Sequence, residues 1–195
     1  MDAVTFTAAA LALLATPGPT NTLLAASGAT AGMRSSLRLV PAEIAGYMVS
    51  ITLLKVLLGP AADANLALTI GLKLAASAWL AVCAVRLWRQ AGTGFSDSET
   101  PVTLRRVFVT TLSNPKALIF ALVIVPPGGL SAALPWLAGL SGLIALTAVT
   151  WIALGATLAR SAGTLVTPRR IWRASALALA AFATMAAGSA LAAMG

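Results

Sequence analysis

The chain has 195 residues, 59% of them hydrophobic and only 9% charged, with a mean hydropathy of +0.93. Soluble domains carry about 25% charged residues, so the composition excludes an ordinary soluble enzyme and predicts one all-α integral membrane domain over residues 1–195. The net charge of +8 does not point to nucleic acid, because the basic residues form short clusters between apolar stretches without an aromatic-basic surface. With no histidine and one cysteine, Cys83, a His-ligated metal site, a Ser-His dyad and an intrachain disulfide are excluded, and no cofactor or metal is expected.

A spanning helix needs about 20 mostly apolar residues, and six segments reach that length. The first, 4–28, contains Pro17-Gly18-Pro19. Each proline removes a backbone donor and clashes with the carbonyl four residues back, so the helix must break there. Asp2, with no basic residue near it, makes 4–14 a poor signal peptide. The second segment, 37–58, has Pro41 in its first turns and Gly59-Pro60 as its expected stop. The third covers 64–87, and the polar connection 90–101 after it reads as a hinge. The fourth, 103–125, contains a second break at Ser113-Asn114-Pro115-Lys116 and stops at Pro126-Pro127-Gly128-Gly129. The fifth covers 132–158 and the sixth 172–193. In the fifth, Gly139 and Gly142 are expected to let helix backbones approach closely.

Arginines fall in the first loop (Arg34, Arg38), the third (Arg86, Arg89, Arg105, Arg106) and the fifth (Arg160, Arg169, Arg170, Arg173). Basic loops face the cytoplasm, so six spans place both termini on the extracytoplasmic side. The connection 91–102 is then a cytoplasmic loop between halves 1–90 and 103–195. Three spans per half give the halves opposite orientations, as in an inverted repeat whose first and fourth helices correspond.

Broken backbone at membrane depth survives only inside protein or beside a watery cavity. One break in each half points to a transporter's central site; two packing kinks are the structural alternative. Four charged residues also fall within the spans: Glu43, Lys55, Lys73 and Lys116. A charge at the bilayer centre costs at least ~2.5–3.5 kcal/mol and usually faces the bundle interior. From the helical rise, Lys73 lies roughly 13 Å and Lys116 roughly 15 Å deep, level with the first break, and Glu43 about 8 Å deep. Lys55 is near a span end and is expected to snorkel. The half-helix after Pro19 presents unpaired N–H groups and a positive dipole end. Together with Lys73 and Lys116 it would attract a carboxylate. Glu43 would pair an ammonium or carry a proton, or would form a buried ion pair with one lysine. Thr16, Thr20, Asn21 and Asn114 offer neutral hydrogen bonds. A carboxylate together with an ammonium describes an amino acid.

These motifs resemble the lysine exporter family, the LysE/RhtB-type amino-acid exporters. Thr16-Pro17-Gly18-Pro19 followed by Asn21 is similar to its first-helix signature, Leu72-Lys73-Leu74 to its third-helix pattern, and Leu112-Ser113-Asn114-Pro115-Lys116-Ala117 to its fourth-helix signature. The resemblance covers the first two-thirds of the chain. It implies export of amino acids or close derivatives, driven by proton exchange, across a prokaryotic inner membrane. It departs from the family after Lys116, where Ala117-Leu118-Ile119-Phe120 replaces a phenylalanine-rich run, and around Glu43, where the family tends to have small residues. The alternatives are an exporter of a small anion or other solute, and a non-transporting membrane assembly component. The expected partners are a small-molecule substrate and the lipid bilayer, with a homo-oligomer left open by the small-residue faces. An enzyme is not expected, because no paired carboxylates and no nucleophile–base set are present.

Overall fold

The computed structural model describes residues 2–90, 101–160 and 168–192, and among these it is all-helical, without a strand. Helix α1 (Ala3–Ala15) starts at Asp2. Its carboxylate accepts from Val4 N at 3.0 Å, Thr5 N at 2.9 Å and Thr5 Oγ1 at 2.7 Å. These bonds, led by the Thr5 backbone, hold its pKa down to about 2. Helix α2 (Pro19–Ser36) follows the first break, and a 3₁₀ turn (Leu37–Leu39) leads into α3 (Val40–Ala64). Apolar helical character runs on from Pro19 to Pro60, over 42 residues. A straight rod of that length would be about 63 Å long, twice the ~30 Å hydrocarbon core.

The chain instead doubles back at Gly32, whose φ of 79° and ψ of 168° lie outside helical space. Ser27 Oγ and Ser36 Oγ meet at 2.8 Å, although nine residues of straight helix would hold them about 13 Å apart. Ser36 Oγ already donates to Gly32 O, so the proton between the two serines comes from Ser27. Only glycine takes the positive φ of this corner without strain.

Gly59-Pro60 does not stop the second helix as expected. It continues to Ala64, with Pro60 on an exposed face. The stop comes from Asn65, whose Oδ1 accepts Leu68 N at 3.1 Å and caps α4 (Leu66–Gln90). Thr103 caps α5 (Leu104–Leu112) through Arg106 N. After the second break come α6 (Lys116–Ile119) and a π-helical turn, Phe120–Ile124, closed by Val125 N to Phe120 O at 2.8 Å. The two arms of this broken helix bend by 50°. Helices α7 (Leu130–Arg160) and α8 (Pro168–Leu191) complete the described fold. Most of the expected hinge, residues 91–100, lies outside the described residues.

By length and composition, three helical stretches are long and apolar enough to cross a membrane: Pro19–Pro60, Leu66–Arg86 and Leu130–Ala159. The bent pair Leu104–Leu112 with Lys116–Ile124 makes a fourth when taken as one span. Among the described residues Ala3–Ala15 and Leu179–Gly188 are shorter apolar helices. The first expected span is therefore cut by its prolines into two unequal pieces. Large apolar side chains such as Leu53, Leu57, Val85, Leu146 and Leu177 are exposed, a surface suited to lipid.

Helix α4 packs along α8, α2 along α7, and α3 against α5 and α7. The α2–α7 contact is set by a reciprocal pair of glycines. A Cβ on Gly28 would come 2.1 Å from Ile152 O, and one on Gly155 would come 1.9 Å from Ala25 O. Gly139 and Gly142, expected to make such a contact, face open space with nothing within 4 Å. Trp79 is 46% exposed, with the Arg86 guanidinium 5.8 Å from its ring centroid.

Candidate functional site

The two breaks meet. Pro17 and Pro19 deprive the end of α1 of helical donors, leaving its last carbonyls to be satisfied from elsewhere. Thr16 Oγ1 turns back onto Ala12 O at 2.9 Å. The Asn21 amide donates to Leu14 O at 2.7 Å and to Thr16 O at 3.0 Å. The Lys116 ammonium reaches the same two acceptors from the other half of the chain, Leu14 O at 3.4 Å and Thr16 O. A cation thus sits at the negative dipole end of α1.

The second break is ordered by Asn114. Pro115 has no N–H, and Asn114 Oδ1 caps the next turn by accepting Lys116 N at 3.1 Å. The Asn114 amide donates to Thr20 Oγ1 at 3.2 Å, and Thr20 Oγ1 lies 3.1 Å from Thr111 Oγ1. Since Thr111 Oγ1 donates to Val107 O at 2.8 Å, the direction of the chain is fixed. It runs Asn114 to Thr20 to Thr111 to Val107. All of these side chains are buried: Thr16, Thr20, Asn21, Thr111, Asn114 and Lys116 are each at most 4% exposed. Gly18 lies beside the Lys116 stem, where a Cβ would be 3.3 Å from Cε and 3.5 Å from Nζ. The N-terminus of α2 has no side-chain cap, so its orphan N–H groups and Lys116 share one neighbourhood.

Glu43 lies on the face of α3 that packs toward α6 and is 2% exposed. It is close enough to Lys116 for their charges to act on each other. The lysine nevertheless gives its hydrogen bonds to the α1 carbonyls, and Glu43 Oε2 is buried without a hydrogen-bond partner among the described residues. One turn further on, Tyr47 OH is buried and unpartnered too, its ring edge-on to Phe120 of the π-helical turn at 5.8 Å. Two adjacent orphan oxygens are costly, at about 1–3 kcal/mol each. Glu43 Oε2 can accept a hydrogen bond there, and the Tyr47 hydroxyl can accept or donate one.

Thr16, Pro17, Gly18, Pro19, Thr20, Asn21, Glu43, Asn114, Pro115 and Lys116 thus converge, whereas Lys73 does not join them. Lys73 is half-buried in α4 and lines a separate cavity of about 220 Å³ with Lys55 and the chain from Ala121 to Gly128. Lys55 does not snorkel: it is 8% exposed and donates to Pro126 O at 2.8 Å. The depth estimate placed Lys73 and Lys116 level, but depth along separate helices does not fix which way each side chain points. Sequence reasoning missed Tyr47 and Thr111. Tyr47 is the chain's one tyrosine and stands four residues after Glu43, a spacing that shares a helix face. Thr111 stands three before Asn114, a spacing that likewise shares a face until the break intervenes.

No protein-family model, curated protein or solved structure matches the chain.

If the Tyr47 hydroxyl is held ready for a ligand, removing it relieves the ligand-free protein. Tyr47→Phe keeps the ring against Phe120 and is expected to raise the unfolding midpoint, by about 1 kcal/mol of added stability. Thermal unfolding in detergent measures this; a lowered midpoint would mean that the hydroxyl holds a structural partner.

Proposed function

We propose that the chain is a secondary transporter that exports amino acids or close derivatives from the cytoplasm, of the LysE/RhtB type. The observation that carries this reading is the buried Glu43–Lys116 neighbourhood at the junction of two broken helices, with a carboxylate oxygen left unpartnered. A static fold gains nothing from an orphan buried carboxylate. A site that takes up and releases a donor does.

The chemistry follows from what each group lacks. The substrate carboxylate competes with Leu14 O and Thr16 O for the Lys116 ammonium and is favoured by the uncapped start of α2. The substrate ammonium satisfies Glu43 Oε2. A proton on Glu43 does the same when the site is empty, which couples export to proton entry. Drawing Lys116 away from the first break frees α1 to shift relative to α2. That motion gives alternating access its moving part.

The same reading takes the chain as six spans in two inverted halves, in a prokaryotic inner membrane with both termini extracytoplasmic. Its support is the fold-back at Gly32, which divides the longest apolar stretch in two, and the pattern of helix pairs. Exchanging the halves turns the packing of the first span on the fifth (α1 and α2 on α7) into that of the fourth on the second (α5, α6 and the π-helical turn on α3). It leaves the third-on-sixth pair (α4 on α8) unchanged, and all three pairs occur.

Glu43→Gln is the direct test, since it keeps shape and removes the charge. The variant is expected to insert and fold while amino-acid efflux falls to background. Wild-type efflux from it would remove Glu43 from the site.

A further inference from the structure

The end of α1 offers two backbone carbonyls to one point. Pro17 and Pro19 break the helix there, so Leu14 O and Thr16 O have no continuing turn to answer them. Asn21 donates to each, at 2.7 and 3.0 Å, and a carbonyl oxygen has a second lone pair to offer. Both carbonyls also accept from a single positive group, the Lys116 ammonium. Water is kept out: Leu14, Thr16, Asn21, Glu43 and Lys116 are each at most 3% exposed. Glu43 acts on the ammonium through space, while its Oε2 has no hydrogen-bond partner among the described residues. An ammonium with a carboxylate at hand ordinarily bonds to it, because the charge-assisted bond is the stronger one. Here the carbonyls take the cation and the carboxylate balances its charge. That division of labour belongs to an ion site more than to an ion pair.

We propose that Leu14 O and Thr16 O form a binding site for one small monovalent cation, balanced by Glu43, and that the Lys116 ammonium is its tethered occupant. Carbonyl oxygens suit hard cations, and these two lie at the negative end of the α1 dipole. Broken membrane helices hold dissolved alkali ions with the same groups, unwound carbonyls and half-helix C-terminal ends. One carboxylate sets the charge at one. A divalent ion would need more acidic ligands, and among the described residues no three His, Cys, Asp or Glu side chains come together. The occupant is carried on the second break, so it also ties the two halves of the chain together, which a dissolved ion does not. Cation binding at these carbonyls does not depend on transport. Its consequence for the cycle rests on the transport reading above: with Lys116 in the site, export needs neither sodium nor potassium.

The full-length Lys116→Ala protein in uncharged detergent tests this. The substitution empties the site, and Gly18, beside the lysine stem, has no side chain to fill the space. Thermal unfolding is compared in potassium, ammonium and choline chloride at equal ionic strength, so that screening is the same in each. In about 100 mM potassium or ammonium the folded-to-unfolded ratio is expected to be about tenfold higher than in choline, as binding with a Kd of about 10 mM produces. Choline is the control because it is too large for the site. The wild type is expected to show no difference among the three salts. Lys116→Ala combined with Glu43→Gln is expected to show none either, because a buried cation then lacks its counter-charge. No response in Lys116→Ala, an equal response in the wild type, a response that survives Glu43→Gln, or a variant that folds in none of the salts would overturn the proposal. So would wild-type amino-acid efflux from proteoliposomes that stops when choline replaces sodium and potassium. A potassium response in Lys116→Ala, alongside a wild-type chain that moves no amino acid, would support the cation site and refute the transport reading alone.

Discussion

Protein carrying Asn21→Leu and Lys116→Met together is expected to be less stable than the sum of the two single changes by about 2–4 kcal/mol. Leu14 O and Thr16 O each have two donors, one from Asn21 and one from Lys116. Either single variant leaves each carbonyl with one partner. The double variant leaves two buried carbonyls with none, and each such group costs about 1–3 kcal/mol. The two donors lie in different halves of the chain, so the coupling measures how far the first break is held together by the second. A double-mutant cycle on unfolding in mixed micelles provides the number. Simple additivity would mean that water or lipid headgroups replace the lost donors.

The other large effect is at the α2–α7 contact. Gly155→Ala places a methyl 1.9 Å from Ala25 O, a distance no real Cβ contact tolerates, so the helices must part. Overpacking of this kind costs about 1–3 kcal/mol, or more where backbone has to move. Gly139→Ala, in the same helix but facing open space, is the control. It is expected to be neutral or to gain about 0.5–1 kcal/mol from the better helix propensity of alanine. Equal destabilisation by both would mean that Gly139 faces a neighbour in the membrane, as it would in a homo-oligomer.

The contrast between these glycines shows where the sequence was legible and where it was not. Proline positions were legible, because a missing N–H acts locally: both helix breaks lie at the predicted residues. The meeting of the breaks was also within reach, since both carry small polar side chains in otherwise apolar spans. Gly155 and Gly139 look alike in sequence, and only the rotation of α7 against α2 decides which is pressed on a backbone. Lys73 and Lys116 failed for a related reason. Their depths could be estimated from the helical rise, but the face each presents depends on tertiary packing. Gly59-Pro60 misled because proline near a helix end costs one bond, while Asn65 five residues later supplies a real cap. Tyr47 went unnoticed because a buried tyrosine is ordinary. It becomes informative only when its hydroxyl has no partner.

In the proposed transporter the joined breaks form a route for amino acids, with Glu43 at its centre. Cells preloaded with mixed amino acids, with and without the protein, test it most directly when the released pool is scanned by mass spectrometry. The account predicts release of one or a few amino acids above background from cells with the wild-type chain, and none from cells with Glu43→Gln at equal membrane abundance. An unchanged pool from the wild type, or undiminished release from Glu43→Gln, would contradict it.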